Sequence, residues 1–316
     1  MTSAPISAPV YDLAPGSGRI HATLNSPQEA LEPLGIKGQI EYPHFAYTYP
    51  LKFLASRALQ PGVGCVYNLS YGGGMVDGDK VEIDLRVDGG ATFCLLTQGS
   101  TKVFKRRRTL SATGNGVDSS IKGEMTVAGA VSNLTAHVGP KSTLLLLPCP
   151  VSPFKNSMFQ QVQSIHLEEP SSSLVLLDWF TAGRPGHGDR WAFYSYLSDI
   201  SIHANGRLLL RDFMEVVPHR VPYLGPYGCF ATLIVWGEQV MPTITYLRET
   251  GAERTLQTHR TPPSRIWSVC DTRDGAGVVV RCSALSTEEV TEWLHEILGV
   301  LSDLCGADVL ARAMDN

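Results

Sequence analysis

The residues LSYGGGMVDGDKVEIDLRV, 69 to 87, come within one position of a phosphate-binding loop. Such a loop needs G-x-x-x-x-G-K-[ST], because the lysine reaches the terminal phosphates, the hydroxyl binds magnesium, and the following helix points its first amides at the anion. Here Asp79 stands where the lysine should be, and Val81, Ile83, Leu85 and Val87 alternate with Glu82, Asp84 and Arg86. That period of two predicts a half-buried strand, so no amide nest follows and nucleotide binding is not expected. What remains is a run of glycines, Gly72, Gly73, Gly74 and Gly78, with Asp77, Asp79 and Asp84 among and behind them. The glycines admit backbone conformations closed to other residues. The carboxylates suit either a cation or turns in which Asp bonds its own backbone.

Two further segments carry unusual side chains. TQGSTKVFKRRR, 97 to 108, ends in Lys102, Lys105, Arg106, Arg107 and Arg108, which is either a solvated strand end or a docking patch for an acidic partner. DWFTAGRPGHGDRWAFYSY, 178 to 196, sets Arg184, His187, Asp189 and Arg190 in a glycine-rich loop between aromatic runs. Imidazole with carboxylate suits a divalent transition metal, and a surface hydrogen-bonding histidine is the plainer alternative. No metalloprotease, nucleophile-elbow or dinucleotide motif occurs, the nine histidines are scattered singly, and nothing singles out a nucleophile with its base. A protein without catalytic activity of its own is therefore expected.

These residues must be positioned mostly by strands. ATFCLLT (91–97), STLLLLP (142–148), SLVLLDWF (173–180), CFATLIVW (229–236) and GVVVRCSAL (277–285) are short apolar runs, most of them rich in β-branched or aromatic residues, separated by turn signals. Asn205-Gly206 predicts a two-residue hairpin between SYLSDISIH and RLLLRDF. One strong helix is expected over 287–303, where Ser286 and Glu289 form a capping box ahead of Val290, Trp293, Leu294, Ile297 and Leu298. Its apolar stripe serves the β core or a partner's groove. A short helix is expected near 308–314, while prolines weaken the case for one within 150–159 or 218–227. Residues 109–121 read as an extended hairpin tip or insertion, and 19–316 as a single domain.

The chain has 316 residues, 43% of them hydrophobic, enough for a large core. Charged residues make up 18% with a net charge of −4, so attraction of the whole surface to nucleic acid or to a membrane is not expected. Seven cysteines, odd in number and without a C-x-x-C, suit a reducing compartment such as the cytoplasm. The opening residues lack a secretory pattern and, rich in Pro, Ser, Ala and Gly, are expected to form a flexible tail over 1–18.

Taken in order, YPLKF (49–53), YGGGMVDGDKVEIDLRV (71–87), TQGSTKVFKR (97–106), LLPCPVSPF (146–154), AGRPGHGDRW (182–191), GRLLLRD (206–212) and VVVRCSALSTEEV (278–290) resemble the UreD family of urease accessory proteins, called UreH in some bacteria. The resemblance spans about 35 to 300. Its motif positions are Gly72, Gly73, Gly74, Asp77, Gly78 and Asp79; Thr97, Gln98 and Lys102; and Gly183, Arg184, Gly188, Asp189, Arg190 and Trp191. It departs from the family pattern in the unbroken Leu144 to Leu147, where an acidic residue is usual, in Cys149, and in Asp189 in place of Glu. The resemblance implies an extended, mostly antiparallel β fold with about two helices. It implies a cytoplasmic scaffold that docks on apo-urease, recruits a UreF-type partner and through it a UreG-type GTPase, and helps insert nickel. GTP would then belong to the partner, no cofactor would be tightly bound, and nickel would pass transiently. Within that reading Asp77, Asp79, Asp84, His187 and Asp189 are the candidates for nickel transit, and Lys105, Arg106 and Arg107 for docking. A general protein-binding β module is the alternative, and an enzyme with convergent catalytic residues a third.

Overall fold

The structure, a computed structural model, describes residues 13–25, 38–106, 129–254 and 263–314. The expected insertion at 109–121, with Arg107 and Arg108 beside it, lies outside them, as do residues 1–12 of the expected tail.

The chain opens with β1 (Ser17–Leu24), which begins inside the range expected as tail, and β2 (Ile40–Tyr47). β3 (Leu51–Ser56) and β4 (Val63–Ser70) follow, then the short β5 (Gly74–Met75), β6 (Lys80–Asp88), β7 (Thr92–Thr97) and the short β8 (Thr101–Val103). Next come β9 (Ala130–Val138), β10 (Thr143–Leu147), β11 (Val151–Pro153), β12 (Met158–Leu167) and β13 (Ser173–Thr181). β14 (Ser195–Ala204), β15 (Arg207–Val216), β16 (Cys229–Trp236), β17 (Arg265–Asp271) and β18 (Gly277–Ala284) complete two sheets. The first sheet is ordered β15-β14-β12-β9-β6-β1-β2, and the second is built on β17-β18-β16-β13-β10-β7-β4-β3.

From β6 to β14 the chain passes back and forth between the sheets, so strands that neighbour each other within a sheet run the same way. β6, β9, β12 and β14 are all parallel in the first sheet, as are β4, β7, β10 and β13 in the second. The expected antiparallel architecture is thus corrected: antiparallel pairing is confined to the flanks, at β1–β2, β3–β4, β14–β15 and the β13–β16–β18–β17 end. The physical reason was present in the runs themselves. LLLL and SLVLL are apolar on both faces, as parallel strands covered on both sides are.

The second sheet is the middle layer. Leu144, Leu146, Leu174 and Leu176 face the first sheet in one core, while Leu145, Leu147, Val175 and Leu177 face a second core closed by helices. Those are α1 (Met241–Arg254), α2 (Thr287–Leu298), α3 (Ser302–Cys305) and α4 (Ala307–Met314), four among the described residues where about two were expected. The capping box at α2 is formed as predicted, with Ser286 and Glu289 bonding each other's backbone amides. Val290, Trp293, Leu294, Ile297 and Leu298 are all buried, so the stripe serves the core. Asn205 and Gly206, at φ of 51° and 74°, make the predicted hairpin turn between β14 and β15. The proline-rich stretches form a 3-10 turn at Pro218–Leu224 and the strand β11 rather than an α-helix. Among the described residues no helix is long and apolar enough to cross a membrane.

The three adjacent glycines do different work. Gly72 and Gly73 sit at φ of 86° and 72°, with nothing within 4 Å of where a Cβ would lie. Gly74 instead lets β5 close on β8: a Cβ there would collide with the backbone oxygen of Lys102 and stand 2.8 Å from the Phe104 ring. Gly73→Ala should therefore cost only about 1–2 kcal/mol of backbone strain. Gly74→Ala must displace a strand, and its denaturation midpoint should fall further. Equal midpoints for the two variants would refute this division.

Candidate functional site

The motif segments come together at one end of the molecule through a row of short parallel strands. Met75 of β5 pairs with Val103 of β8, Lys102 pairs with Ser152 of β11, and Val151 pairs with Phe180 of β13. β13 then leads directly into the loop 182–191. The glycine run, the T-Q-x-x-T-K segment, the segment after LLPCP and the G-R-x-x-x-G-D-R-W loop are thus consecutive along one edge.

That last loop is an internally satisfied support. Gly183 has φ of 97°, and a Cβ on it would lie 2.6 Å from the Asp189 oxygen and 2.8 Å from that of Pro153. Asp189 is buried and accepts from the Arg184 guanidinium at 2.5 and 3.1 Å, while that guanidinium lies 3.9 Å from the Phe154 ring centre. Arg190 donates to the carbonyls of Pro226 and Tyr227. Trp191, at φ of 53°, donates its amide to Ala182 and packs on Phe180, Phe193 and Phe230.

The acids singled out in the sequence do not converge. Asp79 accepts the Val76 amide at 2.8 Å in a tight turn, and half-buried Asp77 lies in the same turn. Asp84 faces outward from β6 and pairs with Arg19 at 3.1 Å. His187 is exposed on a 3-10 turn, and Asp189 is held by Arg184. Among the described residues no group of three or more His, Cys, Asp or Glu side chains is placed to hold a metal ion. In the basic run, Lys102 and Lys105 are exposed and the Arg106 guanidinium lies 5.4 Å from the Tyr194 ring centre.

Behind the motif edge, polar side chains cross the core between the sheets. On the second sheet Asn68 is in register with Thr97, and Asp178 with Thr232, which in turn meets Arg281. On the first sheet Ser132 is in register with Gln161, and Gln161 with Ser198. The two rows meet at Asp178, whose carboxylate accepts from Gln161 Nε2 at 2.9 Å and Ser198 Oγ at 2.7 Å. A cavity of about 110 Å3 lies between the sheets here, with Asn68, Thr97, Ser132, Gln161, Gln163 and Asp178 in its wall. Its wall shares Asn68, Ser70, Thr97 and Thr101 with an open hollow framed by Gly72–Gly74 and Gln98–Ser100. On the far side Asp212 is buried against Arg281 at 2.5 Å.

Asp178 is enclosed by the fold yet open to this cavity. Burial raises its pKa, the bonds from Ser198 and Gln161 pull it back down, and the Asp212 charge adds to the rise. A carboxylate on the wall of a small, largely apolar chamber, with amide and hydroxyl oxygens beside it, offers a divalent cation oxygen ligands but not the nitrogen or sulfur set that would retain one. These residues were missed in the sequence. The signal was there, in an aspartate within the apolar run SLVLLDWF and in glutamines at inward positions of QQVQSIHL.

Comparison with known proteins places the whole arrangement. The family model of the UreD urease accessory protein matches residues 37–314. Urease accessory protein 4 of Cryptococcus neoformans var. grubii is 30% identical, with 98% of each chain covered. The urease accessory protein D of Arabidopsis thaliana is 30% identical, covering 82% of this chain and 90% of its own. UreD of Anaeromyxobacter is likewise 30% identical, with 83% and 81% covered. The chain therefore belongs to the UreD family of urease accessory proteins, with a role in urease maturation and not as an enzyme itself.

Proposed function

We propose that this protein is a cytoplasmic scaffold for nickel insertion, which docks on apo-urease, recruits a UreF-type protein and through it a UreG-type GTPase, and lets the nickel ion pass through the polar seam between its two sheets. One observation carries this reading: a seam with an enclosed carboxylate that no cation pairs among the described residues, Asp178, starts at the hollow that the glycine run and the T-Q-x-x-T-K segment frame. A delivery route must compete with the ion's water shell without completing its coordination, and amide, hydroxyl and one carboxylate oxygens meet that requirement. Transit through Asp178 replaces transit over Asp77, Asp79, Asp84, His187 and Asp189, whose carboxylates and imidazole stand apart. Exposed Tyr49 and Tyr71, 5.5 Å apart with Lys52 beside the Tyr71 ring, flank the hollow and suit a protein partner. All seven cysteines are free thiols and six are buried, which fits a reducing compartment.

Reconstitution tests the proposal. Apo-urease, the UreF- and UreG-type partners, nickel and GTP should yield active urease only when this chain is present. Activation that proceeds equally without it would sink the scaffold reading and favour a general binding module.

A further inference from the structure

On the outer face of the first sheet, one row of residues runs in register across six strands: His44 on β2, His21 on β1, Arg86 on β6, His137 on β9, His166 on β12 and His203 on β14. The last three imidazoles are stacked almost face to face, with ring centres 4.7 Å apart for His137 and His166 and 4.9 Å for His166 and His203, and planes within 12° and 11°. His21 and His44 stack more loosely at 5.9 Å. Two carboxylates reach this row. Asp88 contacts His21 at 3.1 Å and Arg86 at 2.5 Å, while Glu168 contacts Arg86 at 3.1 Å and His137 at 3.5 Å. His166 bonds the Ser164 hydroxyl at 3.1 Å and has no ion-pairing carboxylate among the described residues.

We propose that this row is a proton-sensitive seam, which joins the strands of the first sheet while its imidazoles are neutral and weakens them when the imidazoles become charged. Stacked neutral rings gain from contact. The same rings as imidazolium ions would place like charges under 5 Å apart, beside the permanent charge of Arg86, with Asp88 and Glu168 already engaged by that arginine. In the adjoining row Asp84 pairs with Arg19, and in the row beyond it Asp199 pairs with Arg211, so those carboxylates are also committed. His203 adds a further constraint: its Nδ1 is buried with no hydrogen-bond partner among the described residues, so a proton there would find no acceptor. A metal site is the wrong reading of this row, because parallel rings at this spacing cannot both aim a ring nitrogen at one ion. Burial, then the flanking His137 and His203, lower the pKa of His166 against the opposing pull of Glu168.

The sign follows from linkage. Below its ordinary value of about 6.5 the unfolded chain protonates His166 before the folded chain does, so stability is full above that pH and is lost as pH falls through the lower folded value. Unfolding of the full chain measured from about pH 7.5 to about pH 5.5 tests this, since each excess proton taken up on unfolding raises the unfolding constant by up to about tenfold per pH unit. His166→Gln keeps a partner for Ser164 and removes the charge, and should flatten the dependence by up to that one factor. Identical slopes in wild type and variant would overturn the proposal. If the variant fails to fold, NMR titration of the wild-type ring decides: a midpoint for His166 clearly below about 6.5 supports the seam, and one at or above it refutes the seam.

Discussion

Asp178→Asn should leave the protein folded and able to form its complexes while urease activation falls by about tenfold or more, equivalent to ~1.4 kcal/mol on the transfer barrier. Asn keeps the outline of the side chain and can still bond Gln161 and Ser198, whose amide and hydroxyl both donate and accept. What is removed is the charge. Because burial raises the pKa of Asp178, the ionised form costs stability at neutral pH, and protonation relieves that cost as pH falls. The Asn variant should therefore melt at the same temperature or higher, and its stability should depend less on acidification. A loss of function joined to a gain in stability would separate a conducting group from a structural one. Unchanged activation would remove the seam from the route, and a lost complex would make Asp178 a supporting group.

Gly183→Val should be the most damaging single change among the motif residues. The backbone at φ of 97° is closed to a β-branched side chain, and the Asp189 and Pro153 oxygens occupy the space any Cβ would need. Strain and collision together should cost about 3 kcal/mol or more, lowering the melting midpoint by roughly 5–10 °C. Soluble yield should fall with it, because that is a large share of a typical folding stability of about 5–15 kcal/mol. A variant melting like wild type would show that the loop can rearrange without its Arg184–Asp189 clamp.

How far the sequence reveals this molecule differs from element to element. β6 is legible because one of its faces meets the core: Val81, Ile83, Leu85 and Val87 are buried, and the residues between them are not. α2 is legible because its cap and its stripe agree. α1 is not, since Pro242, three β-branched threonines and Gly251 speak against a helix that Ile244 and Leu247 hold by burial on the second sheet. Strand direction is harder still, because Phe93 pairs with Leu144 across a connection that no local pattern encodes. The site follows the same rule. Glycine motifs announce backbone geometry and were found, but which carboxylate is free depends on partners brought in by the fold. Asp189 looked available until Arg184 closed on it, and Asp178, which was not singled out in the apolar run SLVLLDWF, gains its partners only when Gln161 and Ser198 arrive from the other sheet.

The back-and-forth path between the sheets has a consequence for how such chains diverge. The crossovers that return the chain from the first sheet to the second, at Asp88–Thr92, Val138–Thr143 and Leu167–Ser173, enter no ladder, whereas three of those running the other way carry the short strands β5, β8 and β11, which pair along the motif edge. Lengthening a closed loop costs slowly, about 0.6 kcal/mol for each doubling, whereas slipping a strand by one residue turns its buried face outward. Length can therefore change in the returning connections at less cost than within a strand, whose spacing stays fixed. A chain built this way can differ from its relatives at most positions and in overall length and still return every strand to the same neighbour.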